Sequence, residues 1–208
     1  MEKREILILT KSAKHHDYCV AGIDLQRNKW VRLVSDNEAT MYALSRAMLT
    51  YDNYEECNVL DVVQVEIIEE KPLEIQKENL LINTSKKMKL VRRADKEEVS
   101  RYLNRDIDVF GGIDSCVRRE KAEALGYSLR MYRVSDLQLS EHENNRGEMR
   151  RKVSFRYNGK LYPNWSMTDY AYYRTQLGRI ADDAIIVVSI PEDDYNGYYY
   201  KFVARIFI

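Results

Sequence analysis

Met149-Arg150-Arg151-Lys152-Val153-Ser154-Phe155-Arg156-Tyr157-Asn158-Gly159-Lys160-Leu161-Tyr162-Pro163-Asn164-Trp165 is the stretch that decides the fold. Two runs with strand composition flank Asn158-Gly159, the strongest short-range hairpin signal in the chain. Both residues tolerate the positive φ that a two-residue type I′ turn demands. Side chains two apart point the same way along a strand. Arg150, Lys152, Ser154 and Arg156 therefore share one face, and Val153, Phe155 and Tyr157 share the other. One wet face and one apolar face describe a half-buried antiparallel sheet.

The same pattern extends outward from this hairpin. Ser128 to Ser140 alternates well and is followed by the polar loop Glu141 to Gly147; Ala184 to Ile190 and Tyr198 to Ile208 read as a last pair of strands. At the other end, Glu5 to Lys11, Tyr18 to Asp24 and Lys29 to Ser35 read as strands, the last two joined by Gln26-Arg27-Asn28. In Leu60 to Glu69, Val63, Val65 and Ile67 alternate with Gln64, Glu66 and Ile68. Helical spacing predicts a short helix over Ala39 to Leu49. A second is predicted over Asp95 to Asn104, capped by Asp95 with Glu98 at the capping-box spacing. Arg118 to Leu125 reads as a further helical turn or two, and Asn79 to Leu90 is mixed. Short strands at this spacing favour a sandwich or barrel. The expected fold is mainly β with short helices, in two small barrel-like modules. They occupy residues 1–109 and 127–208, joined by a glycine-punctuated connection over 110–126. Leu33-Val34-Ser35-Asp36, Arg133-Val134-Ser135-Asp136 and Ser166-Met167-Thr168-Asp169 echo one another, as turn-forming Ser-Asp and Thr-Asp pairs or as traces of a duplicated unit.

Composition bounds what such a protein does. A chain of 208 residues with 45% hydrophobic and 11% aromatic content is built for a core, which excludes wholesale disorder. Its 33 basic and 33 acidic side chains cancel, withholding the overall positive charge usual in nucleic-acid binders while leaving room for a local basic face. No stretch approaches the length of apolar sequence a helical membrane span needs. Cys19, Cys57 and Cys116 are too few and too far apart for a disulfide framework or a paired-cysteine zinc site. A cytoplasmic location, with no membrane, is expected.

Cys19-Val20-Ala21-Gly22-Ile23-Asp24, followed by Lys29-Trp30-Val31-Arg32-Leu33-Val34-Ser35, resembles the N-terminal pattern of the bacterial dual-OB-domain family, uncharacterised in function. Ser12 and Lys14 match that family's loop, whereas Leu33 stands where the family usually has proline. Leu60-Asp61-Val62-Val63, Lys77-Glu78-Asn79, Ser128-Leu129 and Lys201-Phe202-Val203-Ala204 also look like family positions, so the resemblance spans most of the chain. It implies two OB-folds in tandem, packed as separate modules or as one unit. Through the fold it implies binding of single-stranded nucleic acid or of a nucleotide. It lends no catalytic residues.

A single-strand binder needs aromatics for bases and cations for phosphates, interleaved on one sheet face. The residues meeting that description are Lys11, Lys14, Trp30, Arg32, Arg130, Tyr132, Arg150, Lys152 and Arg156. A solvated outer sheet face accounts for the same basic clusters, including Arg92-Arg93 and Arg118-Arg119. Sixteen tyrosines, dense at Tyr170 to Tyr173 and Tyr195 to Tyr200, suit a homo-oligomer or protein-partner surface as well as a stacking platform. His15-His16-Asp17 with Cys19 contains metal-ligand types, but adjacent strand residues face opposite ways. Asp61 with Glu69-Glu70-Lys71 imitates a metal-dependent nuclease, yet one continuous strand would hold its carboxylates about 25 Å apart. No nucleophile elbow, phosphate loop or dinucleotide fingerprint occurs. The expectation is a binding module with no catalytic residue, no metal and no cofactor.

Overall fold

Alternation in the first strand segments already places one set of side chains inside a ring. In a computed structural model describing residues 1–14, 17–144 and 146–208, the chain divides into two compact units, 1–102 and 103–208. The first comprises β1 (Glu2–Lys14), β2 (Asp17–Asp24), β3 (Lys29–Val34), β4 (Asp61–Glu70), β5 (Asn79–Ile82), β6 (Lys89–Arg93) and the single-turn α1 (Lys96–Val99). Its sheet order is β1-β2-β3-β5-β4-β6, and β1 pairs also with β4, so five strands close a ring to which β6 is appended. β3 and β5 run parallel, while the other neighbours in the ring are antiparallel. Ile6, Ile8, Val20, Val31, Leu33, Val63, Val65, Ile67, Leu80 and Ile82 point into a common core. Gly22 is required here: a Cβ on it would lie 1.9 Å from the Leu7 carbonyl oxygen, because β1 and β2 meet there with no room for a side chain.

The predicted helix over Ala39 to Leu49 does not form. Only Glu38–Thr40 makes a 3₁₀ turn, capped by Asn37, before Met41 and Tyr42 take left-handed backbone angles. Leu44 then pairs its backbone with Tyr18, so sheet extension overrides the helical spacing. The Asp95 cap does form: its carboxylate accepts from the Glu98 N–H at 2.8 Å. The box is half complete, because Glu98 instead accepts two hydrogen bonds from Arg92. The mixed stretch Asn79 to Leu90 supplies β5 and the start of β6.

The second unit contains β7 (Cys116–Arg118), α2 (Arg119–Leu125), β8 (Leu129–Glu143), β9 (Met149–Tyr157), β10 (Lys160–Met167), β11 (Gly178–Ser189), β12 (Tyr198–Tyr200) and β13 (Phe202–Phe207). β8, β9, β10, β13 and β11 form a closed barrel, with β10 and β13 parallel and the other pairs antiparallel. Counted within its unit, each ring has the order 1-2-3-5-4 with the pair 3 and 5 parallel. Two of the three Ser/Thr-Asp echoes fall at the same place, the end of strand 3, where Asn37 and Asp169 cap a 3₁₀ turn. The third lies inside β8, where Asp136 takes φ 52° at a bulge. Asn158 and Gly159 both take positive φ, as the hairpin reading requires.

The aromatic core of this barrel explains where residues 104–113 go. Phe155, Tyr162 and Trp165 pack with ring centroids 5.1 to 5.6 Å apart, and Tyr132 meets Tyr157 edge-on. Their polar tips converge on one segment. Tyr132 donates to the Asp106 carboxylate, Tyr157 to the Asp106 carbonyl and Tyr162 to Asp108, while Trp165 donates to the Ile113 carbonyl. Buried Lys201 lies 4.7 Å from the Trp165 ring centre and donates to the Val109 and Gly112 carbonyls. Tyrosine serves where phenylalanine would leave these groups without partners. The stretch 110–126, expected as a connection, thus packs on the second barrel, and the division between units falls at Tyr102 and Leu103.

Candidate nucleic-acid interface

The nine cations and aromatics singled out from sequence divide between the units: Lys11, Lys14, Trp30 and Arg32 belong to the first, and Arg130, Tyr132, Arg150, Lys152 and Arg156 to the second. Lys11 is engaged within the first unit, donating to Glu56 at 2.6 Å and to the Cys57 carbonyl at 2.9 Å. Lys14 ends β1, its backbone opposite Asp17. Trp30 and Arg32 do share an outward face of β3, but Arg32 is buried and Trp30 half-buried. Tyr132 is a correction: it is fully buried in the second barrel and its hydroxyl is held by Asp106. Burial and that carboxylate push its ionisation well above the ordinary tyrosine range. Arg130 lies with its guanidinium 3.5 Å from the Tyr127 ring centre and 3.5 Å from Asp106. A period-two pattern marks a strand, but it does not distinguish a wet outer face from a covered one.

Arg150, Lys152 and Arg156 behave differently. β9 presents them on one side with Ser154, while Val153, Phe155 and Tyr157 are buried on the other, the partition read from sequence. Cross-strand register adds their neighbours. On β8, Ser135, Gln138, Ser140 and His142 stand opposite Arg156, Ser154, Lys152 and Arg150. On β10, Ser166 stands opposite Lys152 and accepts its ammonium proton at 2.9 Å. Partial burial holds the Lys152 ammonium below the ordinary lysine range. A bulge between Tyr162 and Trp165 leaves Asn164 at φ 57°, its N–H bonded to the Ser154 hydroxyl. Bulges of this kind re-aim side chains. The result is a face of hydroxyls, amides, an imidazole and three cations on strands 1 to 3 of the barrel.

Among the described residues, the acidic groups paired with this row stand at its ends. Arg150 pairs with Glu148 at 2.5 Å in the loop before β9, and Arg156 approaches Asp136 at 3.6 Å. Both arginines and Glu148 are exposed, where an ion pair contributes little and exchanges readily for another anion. The other basic clusters are tied up more firmly. Arg92 grips Glu98 through two nitrogens, Arg93 reaches Glu55 and Asp61, and Arg119 pairs with Asp194.

Nothing supports a catalytic centre at the nuclease-like residues. Asp61 and Glu70 occupy opposite ends of β4, and Asp61 is buried, accepting from the Tyr51 hydroxyl and the Asn58 N–H. Among the described residues no group of three histidine, cysteine or acidic side chains is placed to hold a metal ion. His15 and His16, raised as possible ligands, lie outside the described residues.

Two five-stranded barrels with the order 1-2-3-5-4 define a tandem OB-type protein. The chain belongs to the dual OB-containing domain family, whose sequence pattern matches residues 4–206. No curated protein matches it. Among solved structures, a murine DNA-binding protein bound with double-stranded DNA aligns over 100% of this chain and 94% of its own, at 6% identity and a TM-score of 0.42. The HINa domain of Ifi202 in complex with double-stranded DNA aligns over 99% and 94%, at 9% identity and a TM-score of 0.39.

Proposed function

We propose that this protein is a non-catalytic, cytoplasmic module that binds single-stranded nucleic acid on the outer face of β8, β9 and β10. One observation carries the reading: Arg150, Lys152 and Arg156 stand in a row on β9, with polar side chains opposite them on β8 and β10. Strands 2 and 3 are the face with which OB barrels engage oligonucleotides, and β9 and β10 hold those positions in the second barrel. A row of three cations and a hydroxyl on alternate residues of a strand matches a flexible phosphate backbone better than a rigid partner surface.

The test is fluorescence anisotropy of labelled single-stranded DNA and RNA against salt, with duplex DNA of the same sequence for comparison. Affinity should fall with rising salt, and Arg150→Ala/Lys152→Ala/Arg156→Ala should reduce the slope of log K on log salt by about 2, the loss expected for three single-strand phosphate contacts. Absence of any single-strand affinity at low salt would sink the proposal. Exposed Tyr54, Tyr170, Tyr195 and Tyr200 support a second reading, a homo-oligomer or scaffold surface. A strictly monomeric sedimentation profile at micromolar concentration counts against it.

A further inference from the structure

Tyr170 and Tyr173 form an aromatic pair that no core explains. Their ring centres are 4.7 Å apart with planes 24° from parallel. Tyr170 is 59% exposed and Tyr173 36%. They follow strand 3 of the second barrel on the 3₁₀ turn Tyr170–Tyr172, where residues three apart eclipse one another and rings fall into register.

The turn is fastened from two directions. Buried Asp169 accepts from the Ala171 N–H at 3.1 Å, from the Ile206 N–H at 2.8 Å and from Arg205 at 3.2 Å, tying the start of the turn to β13. Arg151, on β9, donates to the Tyr173 and Thr175 carbonyls at 2.9 Å each, tying the end of the turn to the strand that carries the cation row. The Tyr173 hydroxyl donates to the Met167 carbonyl at 3.4 Å. An exposed aromatic pair held by charge-assisted bonds at both ends loses little freedom when it binds. Arg150 and Arg151 stand near enough to act electrostatically on the Tyr173 ring hydroxyl, and Arg174 is exposed on the same turn.

We infer that Tyr170 and Tyr173 form a base-stacking subsite at the Arg150 end of the β9 cation row, taking an unpaired base of the strand whose phosphates that row holds. The inference rests on the nucleic-acid reading above and adds to it a contact with bases. The charge around the pair favours a polyanion over an apolar peptide or a second copy of the chain: Arg150 and Arg151 act on Tyr173 and Arg174 is exposed beside it, while Asp169 is buried and engaged by the turn and β13 and Glu141 is paired with Arg151 at 2.9 Å. Stacking accepts any base, so the subsite confers preference for nucleic acid with accessible bases and not for a sequence.

The experiment compares oligo-dT with an abasic deoxyribose-phosphate oligomer of equal length, by anisotropy at low salt. Proteins tested are the wild type, Tyr170→Leu/Tyr173→Leu, Tyr170→Phe/Tyr173→Phe and Arg150→Ala/Lys152→Ala/Arg156→Ala. The leucine pair should weaken oligo-dT binding about tenfold or more, the usual scale for one stacked base. It should leave abasic binding and the salt slope unchanged, while the phenylalanine pair retains wild-type affinity and confirms that the turn folds. If the leucine pair binds oligo-dT as wild type does while the cation variant weakens, the subsite is wrong and the broader reading stands. If the wild type binds neither oligomer, both are wrong. Loss of self-association in the leucine pair without loss of oligo-dT affinity assigns the surface to a second copy and overturns the inference.

Discussion

The two barrels share a strand order but not an outer surface. In the first, β2 from Val20 to Asp24 and β3 from Val31 to Val34 are buried residue after residue, on both faces. In the second, β9 and β10 at the corresponding positions alternate, with apolar residues inside and Arg150, Lys152, Ser154, Arg156, Asn164 and Ser166 outside. Ring closure constrains only the inward set of side chains, which must fill the core. The outward set is free to become a covered apolar surface or a wet polar one. A tandem duplication of topology therefore gives no duplication of binding face, and the two surfaces can be separated by substitution.

The largest difference expected is at Gly22. A methyl group there would collide with the Leu7 carbonyl oxygen, a backbone atom that can move only by parting β1 from β2. Gly22→Ala should cost the first barrel about 3 kcal/mol or more in urea denaturation. β9, at the corresponding place in the second barrel, contains no glycine between Met149 and Tyr157. An unchanged urea midpoint for Gly22→Ala would mean that β1 and β2 do not approach this closely.

A similar magnitude is expected from a buried lysine of the second unit. Lys201 is buried beside Trp165, and burial lowers its pKa from 10.5 to about 8. Between those values the unfolded chain holds the proton that the folded chain has released, so stability from this site rises as pH climbs through the window. The full swing is about 3 kcal/mol. Stability of the wild type minus that of Lys201→Met should therefore increase from pH 7.5 towards pH 10.5, with other titrating groups cancelling in the difference. A flat difference would show that the ammonium is hydrated. Among the charges the first unit buries is an anion, Asp61, met by Tyr51, the Asn58 N–H and Arg93.

That anion sets up the next comparison. Tyr51 donates to Asp61 at 2.8 Å and Tyr132 to Asp106 at 2.7 Å, but Asp61 is buried and Asp106 partly open to water. Tyr51→Phe should cost about 2 kcal/mol and Tyr132→Phe about 1 kcal/mol, since water can replace the second partner and not the first. Equal losses in urea denaturation would mean that Asp61 finds water too.

These particulars show what a sequence can disclose. The β9 partition, the Asn158-Gly159 turn, the inward Val63, Val65 and Ile67 and the Asp95 cap were all readable, because each depends on residues within a few positions. The partners of β9 were not. Gln138, Ser140, Asn164 and Ser166 join the face through cross-strand register, and bulges in β8 and β10 shift that register by amounts no local pattern encodes. Tyr132 was misplaced because Arg130 and Tyr132 look alike to a period of two, while the outcome depended on Asp106, whose carboxylate receives the tyrosine hydroxyl. The Tyr170 and Tyr173 pair had a signal, the three-residue spacing after an aspartate cap, though not its fastening by Arg151 and Asp169.

The smallest stability effect belongs to the residues with the largest functional one. Arg150 and Arg156 are exposed and Lys152 is partly covered, and exposed ion pairs such as those of Arg150 and Arg156 contribute little to stability. Replacing all three by alanine should shift stability by less than about 1 kcal/mol. Arg32 on the first barrel's β3 is buried, so Arg32→Ala alone should cost more than the triple change, through lost packing of its stem as well as lost charge. Urea denaturation of the two variants side by side decides it. A triple variant that unfolds more easily than Arg32→Ala would mean that the β9 cations hold the barrel together, and their row would lose its standing as a free binding surface.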